Sequence, residues 1–424
     1  MRFATAIRFL RDRYIEVDPR QKYWEIKNLV SELLRLHKRS NRAFMRHVLQ
    51  DLWRYITSSN RSENDKSPLR IRSAVDWLLR AQQESSDDGV SLGYFPCRSE
   101  TEKWMPSYPE TTGYIITTLL AYAERFEDES VREAALRMAH WEVAIQMPSG
   151  AVQGGPVCPP EQQTPAAFNT GMVLDGLCSA YNTTGDKVFL EAARRAADFL
   201  MADINEAGYF RTNGRFVSTN EIKTYTCLCA WAMYRFGKII GKRSYQDVAI
   251  RVIEAAICQQ RSNGWFAHNC LTWSVAPLAH TIGYALQAIL EVGSAAQRPS
   301  FITATRKGID PLIARIDKRG LLAGRFYADW EPAALSSCLT GNAQIAIVCY
   351  RLYELTCELK YKQAADTLVN ALKMLQKLDS HNSALNGAIA GSFPIFGDYM
   401  RGGYPNWATK YLVDALLLQY QLDR

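Results

Sequence analysis

The sequence predicts an all-α fold, an (α/α)6 toroid in which six helical hairpins close into a ring, preceded by a helical extension. A glycine followed by aromatic or apolar residues recurs at Gly93, Gly150, Gly208, Gly264, Gly324 and Gly391, with spacings of 57, 58, 56, 60 and 67 residues. An amphipathic helix precedes each glycine, and a helix apolar nearly all round follows it. Self-similarity at such a period marks repeating units, each of which buries its apolar face on the next.

Each element follows from its periodicity. Segments 71–83, 129–147, 186–204, 244–260, 299–316 and 360–378 carry apolar residues at i, i+3, i+4 and i+7 and one charged face, as an outer ring requires. The second set comprises TTGYIITTLLAYA, NTGMVLDGLCSAY, KTYTCLCAWAMYRF, HTIGYALQAILEV, LTGNAQIAIVCYRLYE and NWATKYLVDALLLQY. Helices apolar on every side must be buried, so these form the inner ring. Six pairs without evident capping units favour closure over an open solenoid. Residues 68–424 are then one domain, in which Gly113, Gly171, Gly283 and Gly341 are expected at equivalent inner-helix positions. Residues 1–67 form a separate extension, with helices predicted around 22–37 and 42–57 before a polar linker.

Charge and cysteine usage narrow the setting. The net charge of +7 falls entirely in residues 1–67, which hold 15 Lys+Arg against 8 Asp+Glu, while the remainder is balanced. A solvated basic helix pair accounts for this, as would docking to an anionic partner or a membrane face. The ten cysteines are scattered without a CxxC pair and read as small core residues in a reducing compartment. Arg8, Arg11 and Arg13 interrupt the start of the chain, and no segment offers about 18 uncharged apolar residues. A cytoplasmic protein without signal peptide or transmembrane segment is therefore expected.

In a toroid with parallel inner helices, the loops before them open onto one face and their residues converge there. Those loops interleave flat aromatics with amides, carboxylates and arginines, which suits a sugar: ring faces stack while hydroxyls need polar partners. Glycosidic cleavage needs a carboxylate pair, for which Glu110 with Asp329 or Glu331 are the candidates, with Tyr108 and His280 as further catalytic candidates. Trp104, Tyr114, Asn169, Glu221, Tyr284, Arg325, Asn342, Arg401, Tyr404 and Trp407 are the expected substrate-binding residues. The same set fits uronate elimination or C5-epimerisation, with tyrosines and His280 as acid and base and Arg325, Arg401 or Asn169 neutralising the carboxylate. Helix capping is the competing explanation for Glu110 and Glu221. A non-catalytic glycan-binding or scaffold role is the third alternative.

Other chemistries lack their residues. There is no DxDD acid, no Walker loop, no GxGxxG after a strand and no GxSxG. No convincing metal-ligand set occurs, so neither metal nor cofactor is expected. The expected partner is an oligo- or polysaccharide, and no nucleic acid.

At the inner-helix openings, WMPSYPETTGYI (104–115), HTIGYALQAILE (280–291), CLTGNAQIAI (338–347) and GGYPNWATKYLVDALL (402–417) resemble bacterial toroid proteins encoded with exopolysaccharide and capsule genes, the VpsJ-like polysaccharide biosynthesis proteins. The resemblance covers roughly residues 70–424. It implies the toroid fold and a glycan context, and it assigns no catalytic residue.

Overall fold

In a computed structural model of the 424-residue chain, the described residues are 67–424 without 215–220, 272–275, 379 and 381, together with the helical Met45, Leu49 and Trp53. The predicted basic extension and its helices otherwise lie outside the described residues. Twelve α-helices occur among them. The outer set is α1 (Ser67–Gln83), α3 (Glu129–Ile145), α5 (Lys187–Asp203), α7 (Arg243–Cys258), α9 (Pro299–Ile313) and α11 (Leu359–Leu375). The inner set is α2 (Pro109–Phe126), α4 (Ala167–Thr184), α6 (Cys229–Ile239, after a 3-10 turn at Thr224–Leu228), α8 (Ala279–Ala295), α10 (Leu339–Thr356) and α12 (Asn406–Leu422). Inner helices touch in that order and α12 returns to α2, so the ring is closed. None of the helices is long and apolar enough to cross a membrane.

A side-chain clasp repeats around the outer ring. The Gln146 amide donates to Gly150 O at 2.9 Å in its own turn and to Ala192 O at 3.0 Å on the next outer helix. Gln82 spans Asp88 O and Ala134 O, and Gln260 spans Gly264 O and Ala304 O. Gln376 spans Gly387 O and Arg70 O, which ties the last outer helix to the first.

The turn that ends each outer helix, held by such a clasp in repeats one, two, four and six, corrects the repeat register. Its left-handed residue is Asp88 (φ 64°), Gly150, Gly208, Gly264, Gly320 and Gly387, so in repeats one, five and six it lies four or five residues before the expected Gly93, Gly324 and Gly391. The reason for glycine is sharpest at Gly387, where φ is 95° and an added Cβ would stand 1.8 Å from Ser73 O of α1. Substituting alanine combines backbone strain with that collision, so Gly387→Ala is expected to lower unfolding free energy by more than about 1 kcal/mol. Urea denaturation checks this; an unchanged midpoint would remove the role given to the turn.

Inner helices start at one level. At their fourth position Thr112, Thr170, Asn342 and Thr409 accept the N–H of Val90, Val152, Leu322 and Ile389, just past the turn. Gly113, Gly171 and Gly283 are each fifth in their helix, as expected, whereas Gly341 is third in α10. All four allow close approach: a Cβ on Gly113 would lie 2.6 Å from Val173 Cα, and one on Gly341 2.6 Å from Ala279 C.

No side chain caps α2, α4, α8, α10 or α12. The first N–H is instead bound by a carbonyl of the next repeat's loop: Ala167 by Thr212, Ala279 by Gly324, Leu339 by Gly391 and Asn406 by Leu92. Thr224 N donates likewise to His268 O, and where α2 begins with Pro109, Val157 N donates to Ser107 O instead. Short antiparallel pairs reinforce two joints, β1 (Gly93–Tyr94) with β4 (Tyr404–Pro405) and β2 (Ser337–Cys338) with β3 (Ser392–Phe393). Helix N-termini need such partners, and here supplying them joins all six loops into a collar.

Candidate active site

Inside the collar the inner-helix starts bring aromatic and titratable side chains together. Tyr108 precedes α2, Glu110 lies in its first turn and Tyr114 one turn later. Phe168 and Asn169 come from α4, Tyr225 from the turn before α6, His280 and Tyr284 from α8, and Trp407, Lys410 and Tyr411 from α12. Phe168 meets Tyr284 and Tyr225 at centroid distances of 5.0 and 5.3 Å, and His280 lies 4.3 Å from Tyr284. Trp407 sits edge-on to Tyr108 and donates from Nε1 to the Tyr399 hydroxyl at 2.8 Å.

Glu110 is the chemical centre of this cage. Tyr108 Oη donates to its Oε2 at 2.9 Å, and no cation pairs with it among the described residues. Burial pushes its carboxyl up to about 7, although the Tyr108 bond pulls the other way. Both residues keep partial solvent access while protein surrounds them on nearly every side, the situation of groups low in a narrow well. A carboxyl near neutrality can both accept and release a proton at physiological pH.

The histidine and the phenols of the cage are held in their neutral forms. Burial holds His280 down to about 4, and Gln344 Oε1 stands 2.7 Å from its Nδ1. A carbonyl oxygen only accepts, so Nδ1 carries the proton and Nε2 keeps the lone pair. Burial raises Tyr108, Tyr114, Tyr284 and Tyr399 well above the usual phenol range, and Tyr411 to about 12. These phenols serve as hydrogen-bond donors and not as bases.

The floor is polar. Lys410 Nζ lies over the rings of Tyr411 and Tyr114 at 4.0 and 5.0 Å and pairs with Asp414 Oδ2 at 2.7 Å. Below, Asp175 pairs with Arg235 and accepts from Thr117 at 3.0 Å, while Thr118 donates to Asp414 at 2.7 Å.

Of the residues anticipated from sequence, Tyr108, Glu110, Tyr114, Asn169, His280, Tyr284 and Trp407 gather in this well. Asn169 Nδ2 donates to Gln153 O at 2.9 Å, with its amide beside Tyr108. Glu221 stands at the edge by Tyr225, 2.8 Å from the Lys223 ammonium. Asp329 and Glu331 are not brought to Glu110. They occupy an exposed turn, where Glu331 pairs with Arg315 at 3.1 Å and Asp329 Oδ1 accepts from Glu331 N. Trp104 packs outward on Trp77 of α1 and on Tyr94. Arg325 binds the buried Asp398 at 2.6 Å and also Ala276 O. Asn342 is fully buried in the helix-start bond described above, Arg401 Nε donates to Phe396 O at 3.1 Å, and Tyr404 is buried in the β1–β4 pair. Lys410 was expected among the polar groups that converge on the cavity, whereas Gln344, Tyr399 and Tyr411 were not; a polar position within an apolar inner-helix run was the signal for Gln344.

No family model matches the chain, and no curated protein does. Solved structures do. An unsaturated glucuronyl hydrolase specific for heparin superposes with a TM-score of 0.68 at 18% identity, over 85% of this chain and 98% of that one. Cellobiose 2-epimerase from Bacillus thermoamylovorans gives 0.65 at 9% identity over 84% and 100%, and a D-mannose isomerase 0.65 at 12% over 85% and 99%. The chain has the (α/α)6 toroid fold. At these identities the likeness carries the architecture, and the chemistry must come from the well itself.

Proposed function

We propose that this protein is a carbohydrate-active enzyme that moves a proton on a sugar, with Glu110 as the acid–base group. The carrying observation is a single, partly accessible carboxyl held near neutrality by burial and hydrogen-bonded by Tyr108. Cleavage by a pair of carboxylates would need a second one within about 5 to 9.5 Å of the first. The expected partners, Asp329 and Glu331, stand on the exposed turn instead, and Glu221 at the edge of the well is paired with the Lys223 ammonium, so proton transfer next to a carbonyl, as in epimerisation, isomerisation or elimination, fits the geometry better. The cage of aromatic faces and neutral phenol donors suits sugar rings and hydroxyls. An epimerase and an isomerase acting on sugars share the fold, as does a glycoside hydrolase. The resemblance to VpsJ-like proteins adds a bacterial surface or exopolysaccharide as the source of the substrate.

The test is incubation with neutral and uronate saccharides in deuterated water, reading carbon-bound deuterium, unsaturated-uronate absorbance and new reducing ends together. Deuterium incorporation or unsaturation is the expected outcome. Reducing ends formed in step with turnover, without either signal, would return the assignment to hydrolysis.

A further inference from the structure

We infer that the well is blind and walled on all sides, so that it takes a free sugar or the terminal residue of a glycan end-on and cannot act on the interior of a chain. This deepens the reading that the well binds a sugar and rests on it. Two independent features of the fold carry it.

The first is the closed axis. In a ring of six inner helices α2 and α8 stand opposite one another, yet Tyr114 of α2 and Tyr284 of α8 reach each other, and both lie against Tyr411 of α12, at 5.7 and 6.1 Å between centroids. Side chains from opposite walls can meet only on the axis itself. The three rings are 2 to 3% exposed. The hydroxyls of Tyr114 and Tyr284 are buried and within reach of each other. Beneath it the Lys410–Asp414 and Asp175–Arg235 pairs continue across the inner helices. A polysaccharide cannot thread through.

The second is the collar. A chain attacked internally needs a groove with two open ends, and at the level of the inner-helix starts no adjoining pair of loops leaves one. Every adjoining pair is instead hydrogen-bonded through main-chain groups, including the pair formed by the first and last repeats. Among the described residues, Glu110 lies inside this ring of bonded loops and above the plug. The opening that remains is at the top, and a chain end fits it where a chain interior does not.

The experiment uses the full chain and the polysaccharide found active in the panel, or, if only small sugars react, those sugars directly. At a fixed mass of polymer, partial acid hydrolysis that multiplies the chain ends should raise the initial rate in proportion, and reduction or capping of the relevant end should abolish it. A rate that is unchanged or falls on fragmentation, or an endless cyclic oligosaccharide turned over as fast as its linear counterpart, would overturn the inference. Reaction of a free monosaccharide supports it. If no saccharide of any length binds or reacts, both the inference and the sugar reading fall. If Glu110→Gln keeps full turnover while the dependence on chain ends persists, the proton-transfer reading falls alone.

Discussion

Replacing Glu110 by glutamine is expected to lower turnover about 100-fold to 10,000-fold, the usual contribution of a positioned acid–base group. The same change should stabilise the protein above neutral pH. Burial raises this carboxyl from 4.5 to about 7, so below pH 4.5 it is protonated both folded and unfolded and costs nothing. Between 4.5 and 7 the unfolded chain releases the proton more readily than the fold does, and the fold loses stability as pH rises, reaching a constant penalty above 7. That penalty is at most about 3 kcal/mol, and about 1 to 2 kcal/mol with the solvent access Glu110 retains. Glu110→Gln should therefore melt above wild type at pH 8 and level with it near pH 4. If the carboxylate is the form that abstracts the proton, wild-type turnover should rise with pH through about 7. A variant that is equally active, or less stable at pH 8 than at pH 4 relative to wild type, contradicts this account.

Arg325→Met is expected to cost about 3 to 5 kcal/mol of stability, the range for leaving a buried charge without its partner. Asp398 is 2% exposed, and Arg325 binds it while also holding Ala276 O, so one guanidinium ties the loops of repeats four, five and six. Removing both charges, as in Arg325→Met with Asp398→Leu, should recover most of the loss because no orphaned carboxylate remains. Denaturant unfolding of the three variants decides this. Arg325 was anticipated as a substrate ligand; a loss of sugar binding at unchanged stability would restore that role.

The contrast between Arg325 and Glu110 shows what periodicity discloses. Alternating polar-faced and apolar helices near a 57-residue period are sufficient for the toroid, because each helix type has only one place to bury its surface. The face on which the loops open was legible too, and it located Tyr108, Glu110, His280 and Tyr284. What a loop's position cannot convey is radial direction: Asp329 and Glu331 lie in the loop before an inner helix and Glu110 at the start of one, yet the turn of Asp329 and Glu331 lies against Arg315, just past the end of α9. Gln344 and Tyr411 are illegible for the opposite reason. They belong to helices that read as apolar on every side, and the few polar positions in such a helix are the ones that face the axis. The glycine register slipped in repeats one, five and six because aromatic neighbours drew attention to a loop residue, while the backbone strain falls earlier, at the clasped turn.

The seal between α11 and α1 also has a temporal meaning. Gln376 and Arg70 lie 306 residues apart in sequence, as do Lys373 and Ser67. During synthesis at about 5 to 20 residues per second, α1 therefore emerges at least ~15 s before the neighbour that closes the outer ring on its other side, α11, exists. Until α12 is also made, Ile71, Val75 and Leu78, which are fully covered in the finished ring, lack the part of their cover that α12 supplies. Among the described helices, α12 thus determines when α1 becomes safe from aggregation. A ribosome stalled before α12 would display an open arc whose two raw edges are complementary to one another and equally to those of a second copy.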